Sequence, residues 1–356
     1  MNTQLCSSPS SLLPVGSVGH SAPHAARGLA RGSWTRLTSL AALWLLGLCL
    51  VMAPSHGAEY QWVDEPGKQI ELRQGDRPVV RYMYEAIDTS SEEARGRTYK
   101  PYLHVFSPDG DTLLTKGPGG LFPHHRGIYY GFNGITYGDG LKCDTWHCTG
   151  KAHQLNKEIL STSTDEQGGK IEVLIEWHGA KGETFALERR TYDVTHQAGQ
   201  TTVDFKSVLE PTGDQPIKLD GDPQHAGCQF RAAQEVAENG KEKTYYLRTD
   251  GKGKFGETRN WDHKNPERES NQENVNRPWN TLSFEIGGNR YSVQRISHPE
   301  VPQPERFSER EYGRFGSYFV TEVTKDQPLE VNYRYIIKVG EMDLAECEAN
   351  AEAYRD

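Results

Sequence analysis

Beyond residue 58, apolar positions recur along most of the chain with a period of two. Segments 79–84, 102–106, 128–132, 171–177, 184–194, 201–209, 281–286, 291–296, 318–323 and 329–339 read as strands separated by turn residues. Gly287-Gly288-Asn289, between two of them, is a hairpin signal. Only 342–354 reads as a helix, with Leu344, Cys347, Ala351 and Tyr354 near one stripe. Strands do not alternate with helices, so a parallel doubly wound sheet is disfavoured. The pattern predicts an all-β fold: a large antiparallel β-sandwich with a short C-terminal helix. Residues 251–278 are the least regular. They would either cross over a site or form an exposed polar insertion.

The start of the chain differs. Residues 1–58 carry Arg27, Arg31 and Arg36 and no acid, then an apolar run ending near Ala53, then Ala-Pro-Ser-His-Gly-Ala at 53–58. The run is about 14–17 residues, short of the roughly 20 that span a bilayer. Basic flank, short apolar core and small-residue exit read as a secretory signal. The expectation is a leader over 1–58, a single sandwich domain over 59–356, and a periplasmic or secreted protein. The alternative is an uncleaved N-terminal signal anchor. After cleavage no stable membrane insertion is expected. Cys49 follows Leu48 where a small residue would be needed for lipidation.

The chain of 356 residues carries 40 Lys plus Arg against 49 Asp plus Glu, a net charge of -9. Without the leader's three arginines the balance is 37 against 49, or -12. A nucleic-acid partner is therefore not expected, because phosphate binding needs a basic face. Export permits disulfides among Cys143, Cys148, Cys228 and Cys347, but a domain of this size can bury a sufficient core without them. No CxxC pair suggests a structural zinc site.

Four segments carry candidate chemistry. In 222–232, read as a strand, His225, Gly227, Gln229 and Arg231 share one face, and Ala226, Cys228, Phe230 and Ala232 share the core face. The polar row suits a ligand, and Gly227 suggests a close approach. In 123–132, His124 and His125 are adjacent. On a strand they would point to opposite faces, so both can serve one site only if His124 lies in the preceding loop. Histidines suit proton transfer near neutral pH. In Asp144-Thr145-Trp146-His147, an indole could stack on a sugar and a carboxylate could take its hydroxyls. Around Tyr312, Arg310 and Arg314 could hold a carboxylate or lower the phenol's pKa. Gly-x-Ser-x-Gly, P-loop and His-Glu-x-x-His signatures are absent from the sequence. The GxGxxG spacing at 251–256 follows a strand but opens no helix, so it is discounted as a nucleotide site.

The motifs Lys100-Pro101-Tyr102-Leu103-His104, Pro123-His124-His125-Arg126-Gly127, Asp144-Thr145-Trp146-His147 and 225–231 together resemble the PmoA-like family. Its members are exported bacterial proteins often labelled "methane oxygenase" and largely of unknown function. The resemblance spans most of 70–340. The methane-oxygenase label fits poorly, since the membrane subunit of that enzyme has many spanning helices and this chain reads as strands. By fold analogy the architecture resembles the supersandwich of galactose mutarotase-like proteins and some polysaccharide lyases.

The resulting expectation is an exported enzyme doing epimerase-, lyase- or hydrolase-type acid–base chemistry on a sugar or uronate. A small carbohydrate or oligosaccharide would be its partner. His125, His225 and Tyr312 are the catalytic candidates. His104, His124, Arg126, Asp144, Trp146, His147, Gln229, Arg231 and Arg314 are the substrate-binding candidates. No cofactor is expected; if a divalent metal binds, His124, His125, His147 and His225 would hold it. The alternatives are a noncatalytic periplasmic sugar-binding protein and a His-ligated metal oxidoreductase.

Overall fold

The computed structural model describes residues 59–197 and 199–355. The expected leader lies outside the described residues. With strands numbered in chain order, one nine-stranded sheet runs, edge to edge, β1 (Tyr60–Glu65), β2 (Gln69–Gln74), β3 (Arg77–Met83), β4 (Tyr102–Val105), β5 (Ile128–Phe132), β13 (Ala226–Arg231), β20 (Arg314–Tyr318), β19 (Arg306–Arg310) and β16 (Arg259–Asn260). A second runs β15 (Gly251–Lys252), β14 (Tyr245–Arg248), β17 (Trp279–Ile286), β18 (Asn289–Ser297), β22 (Leu329–Val339), β11 (Gln200–Pro211), β10 (Thr184–Gln197), β9 (Gly168–His178) and β8 (His153–Thr164). A small sheet joins β21 (Thr321–Val323), β12 (Ile217–Asp220), β6 (Gly134–Tyr137) and β7 (Leu141–Cys143). Neighbouring strands pair antiparallel, as in β5–β13–β20 and β9–β10–β11–β22.

The period-two pattern explains the layering. On β9, Ile171, Val173, Ile175 and Trp177 turn inward and are buried, while Lys170 stays exposed and Glu172 and Glu176 half-exposed. Aromatic rings from the two large sheets meet between them: Tyr130 with Trp177 at 5.9 Å and Phe205 at 5.7 Å, and Phe230 with Phe284 at 6.4 Å. Each fully buried side chain of this size contributes roughly 1.5–3 kcal/mol. The fold is the all-β antiparallel sandwich that the pattern predicts, ending in a helix, α3 (Leu344–Arg355).

Several local readings are corrected. Two short helices were not expected: α1 (Glu92–Thr98), whose Ala94 N–H is accepted by the Ser91 hydroxyl at 3.0 Å, and α2 (Gln234–Asn239). Each is under two turns, too short for a stripe to show. Segment 318–323 is not one strand. β20 ends at Tyr318 in the first sheet, and β21 starts at Thr321 in the small one. Segment 251–278 gives an edge strand to each large sheet, β15 and β16, and no helix opens after the GxGxxG spacing. Cys143, Cys148, Cys228 and Cys347 are all free thiols. Among the described residues no helix is long and apolar enough to cross a membrane.

Candidate metal centre

Three turns at one end of β5, β7 and β13 converge. His124 and His125 lie in the turn entering β5, where His125 N–H bonds the Phe122 carbonyl at 3.1 Å. His124 therefore does lie in the preceding loop, and the two rings sit side by side with centroids 4.4 Å apart. The strand-face objection to adjacent histidines does not apply.

The other two turns are built alike. After β7, Asp144 Oδ1 accepts the N–H groups of Trp146 (2.8 Å) and His147 (2.7 Å), while Oδ2 accepts His147 Nδ1–H at 2.7 Å. Before β13, Asp222 Oδ1 accepts the Gln224 N–H at 2.9 Å, and both its oxygens lie 2.9–3.0 Å from His225 Nδ1. Asn133 Nδ2 donates to Asp222 Oδ2 at 2.7 Å. Each is an Asp-x-x-His turn in which a short carboxylate bonds the backbone ahead of it. Burial pushes the Asp222 carboxyl up, but the hydrogen bonds from His225, Gln224 and Asn133 outweigh it and hold it well below the carboxylate range. With Nδ1 occupied by a carboxylate, each of these rings presents Nε2.

His124, His147 and His225 bring one ring nitrogen each to within 4.8 Å of one another. Ring centroids are 4.6 Å apart for His124–His147, 5.2 Å for His124–His225 and 4.5 Å for His147–His225. Three imidazoles bound at 2.0–2.1 Å to a tetrahedral ion have nitrogens roughly 3.3 Å apart, so small ring rotations close the set. His124 Nε2 is buried with no hydrogen-bond partner. Burial, with the nearby His147 and Lys100, holds His124 far below its ordinary pKa, in the neutral form a ligand requires. A carboxylate on the far nitrogen of a histidine is the usual outer shell of a metal ligand. The donor set therefore fits a divalent ion such as zinc, which takes neutral imidazoles.

Lys100 ties the turns together. Its Nζ donates to the His124 carbonyl at 2.8 Å and to the Trp146 carbonyl, and lies 3.8 Å from the Tyr129 ring centroid. Burial pushes its pKa down to about 7.

The remaining candidates fall into distinct places. His125 is buried beside the cluster, 5.3 Å from the His225 ring and stacked on it, and its Nδ1 has no partner. Burial and the Arg314 charge keep it well below its ordinary pKa. Tyr312 lies 6.5 Å from His125, ring to ring. Trp146 is 1 % exposed and forms a floor against Tyr129 and His125, so its face is not open for a sugar. The aromatic surface that is open there is Phe122, 40 % exposed and stacked on Tyr312 at 4.7 Å. Asp144 is occupied in holding His147.

His104 is not brought into the cluster. It is buried between Thr115 (2.8 Å) and Tyr102 (3.3 Å). Arg126 turns away to bond the carbonyls of Gly96 and Arg97 at the end of α1. Gln229 accepts from Arg314 Nη1 at 2.6 Å and Arg231 donates to the Tyr312 carbonyl through Nη1, so this row is buried, and of its polar atoms Arg231 Nε and Nη2 keep no partner. The close approach at Gly227 is the neighbouring strand: at φ +80° an added Cβ would lie 2.0 Å from the Ser317 carbonyl oxygen. Asp222, Lys100 and Phe122 join the site only in the structure. The repeated Asp-x-x-His spacing at 144–147 and 222–225 was the signal available for Asp222.

A family profile described as a family of unknown function (DUF6807) matches residues 69–352. The chain belongs to this family. All three converging histidines of this DUF6807 protein lie inside the matched stretch. No curated protein matches the chain. Among solved structures it is similar to a GH36 alpha-galactosidase from Geobacillus stearothermophilus, at 11 % identity, over 81 % of this chain and 42 % of that one, with a TM-score of 0.35. It is also similar to a galactose mutarotase related enzyme from Lactobacillus acidophilus, at 10 % identity, over 68 % of this chain and 95 % of that one, with a TM-score of 0.29. The chain thus spans about two-fifths of the galactosidase structure it matches.

Proposed function

We propose that the protein is a metal-dependent enzyme that works by proton transfer on a small hydroxylated substrate of the carbohydrate class. His124, His147 and His225 would hold one divalent cation. The observation that carries this reading is the convergence of three imidazoles, two of them backed by a carboxylate on the far nitrogen. Three protein ligands leave a position for substrate or water, and a cation there supplies Lewis acidity to a substrate oxygen.

The chain's own residues supply the rest. His125 keeps Nδ1 free beside the three histidines, so it can accept a hydrogen bond from a substrate hydroxyl and act on its proton. Phe122 offers a partly open apolar face, of the kind that packs on the C–H surface of a sugar ring. Lys100 holds the His124 and Trp146 turns in register. The leader expected at residues 1–58 would place this chemistry in the periplasm or outside the cell.

The test is a screen of the metal-loaded full chain against a panel of monosaccharides, oligosaccharides and uronates, with turnover followed by proton NMR. Chelation should abolish turnover. His125→Ala should keep the metal and lose about 10²–10⁴-fold in rate. Turnover that persists in protein shown to be metal-free would end the proposal.

A further inference from the structure

Buried arginines elsewhere in the sandwich have acids. Arg190 pairs with Glu188 at 2.7 Å, Arg248 with Glu309 at 2.6 Å and Arg295 with Glu305 at 2.9 Å. Three beside the histidines do not, but Arg126 spends all three of its nitrogens on the carbonyls of Pro123, Arg97 and Gly96, which leaves Arg231 and Arg314. Arg231 is 1 % and Arg314 0 % exposed, and among the described residues neither meets a carboxylate. Arg231 spends only Nη1, on the carbonyls of Ala232 (3.0 Å) and Tyr312. Its Nε and Nη2 are buried without partners. Arg314 bonds the neutral oxygens of Gln229 and Ser308, each at 2.6 Å, and its Nε is also free.

A buried charge without a counter-charge is costly, and removing one partner of a buried pair leaves that cost exposed. Arg126 meets that cost with carbonyls, whereas Arg231 keeps a whole Nε–Nη2 edge unpartnered, an edge suited to an anion. Its position is set by the neighbours. The Arg231 guanidinium lies 4.9 Å from the Tyr312 ring centroid, and that ring is 6.5 Å from the ring of His125. Lys116 is tied to Arg231 through its N–H, which bonds the Arg231 carbonyl at 3.1 Å. This cationic cluster sits in a chain of net charge -9, so it is not a consequence of overall composition.

We propose that the substrate carries a carboxylate, bound by the Nε–Nη2 edge of Arg231 with Arg314 behind it, while its hydroxyls face the three histidines. The proposal rests on the metal-centre reading above and deepens it: the substrate class becomes a sugar acid. The two free atoms form one edge of a planar fork, and that edge matches the two oxygens of a planar carboxylate. Phe122, 40 % exposed, stacks on the same Tyr312 ring that Arg231 packs against, so this ring pair stands between the edge and solvent.

The experiment uses the full chain with its metal content measured first. Calorimetric titration compares D-galacturonate and D-glucuronate with D-galactose and D-glucose, and inorganic phosphate forms a separate arm. At least one uronate should bind ten-fold or more tighter than its neutral counterpart. Arg231→Gln should erase that difference without changing metal per chain, and Arg231→Lys, which keeps charge without the fork, should recover only part of it. Equal binding of acidic and neutral sugars by wild type would overturn the proposal, and this arm decides the matter should the variants fail to fold. Phosphate binding tighter than either uronate would overturn the carboxylate assignment. A uronate preference in protein that holds no metal would support the arginine site and remove the metal reading, so the two failures are distinct.

Discussion

Asp144→Asn tests the outer shell of the centre with little disturbance to the fold. The substitution keeps size and shape. Its Oδ1 can still accept the N–H groups of Trp146 and His147, which fix the turn at 2.8 and 2.7 Å. What changes is the other arm. Oδ2, which accepts His147 Nδ1–H at 2.7 Å, is replaced by an NH2 donor. Two donors would then face each other, and His147 relieves this by moving its proton from Nδ1 to Nε2. That is the nitrogen turned toward His124 and His225, and a protonated nitrogen cannot bind a cation. Losing such an outer-shell partner costs typically about 10–100-fold in metal affinity, equivalent to roughly 1.4–2.7 kcal/mol. The assay is competition for zinc against a chromophoric chelator at pH 7, with thermal unfolding of the apo protein in parallel. The variant should melt within a few degrees of wild type and bind zinc at least ten-fold more weakly. Unchanged affinity in a folded variant would refute the assignment of His147 Nε2 as a ligand atom.

Two further outcomes follow from the fold. Gly227→Ala places a methyl 2.0 Å from the Ser317 carbonyl oxygen at φ +80°, where the backbone of β20 cannot yield cheaply, and should cost about 2–3 kcal/mol or more in urea unfolding; a midpoint equal to wild type would show that the strands can separate there. Acid should destabilise the protein through buried His104, whose pKa burial lowers from 6.5 to about 3. The unfolded chain takes up this proton first, so stability is complete above about pH 6.5 and falls toward pH 3 by about 1.4 kcal/mol per pH unit. The slope between pH 6 and 4 should flatten in His104→Gln, and an identical slope in the two proteins would refute this cause.

Which parts of the molecule were legible follows from what a period can record. Strands such as β9 and β22 bury every second side chain, and that alternation is written directly in their residues. Edge strand β8 is mostly exposed toward its end, so it lacks the alternation and reads as polar chain. Helices α1 and α2 are shorter than the period needed to see them. At the site, the set of four histidines that could hold a metal is legible, and which three of them converge is not. The alternation rule sets only His124 and His125 on opposite faces, and spacing alone leaves His124 and His147 as substrate binders, His225 as a catalyst, or all of them as metal ligands. The structure puts all three on turns, where alternation does not apply, and the Asx-type bonds from Asp144 and Asp222 aim the rings. Arg126 was legible as a charged residue beside two histidines, but only tertiary structure shows it bonded to the end of α1. The lack of an acid for Arg231 is likewise a property of packing, not of spacing.

The central claim is that His124, His147 and His225 hold one metal ion. X-ray absorption fine structure of the zinc-loaded full chain measures this directly, because it counts the imidazoles around the ion and their distance. The prediction is one zinc per chain with three imidazole nitrogens at 2.0–2.1 Å, falling to two in His225→Ala with a matching loss of affinity. Substoichiometric zinc in wild type, or an imidazole count that His225→Ala leaves unchanged, would contradict it.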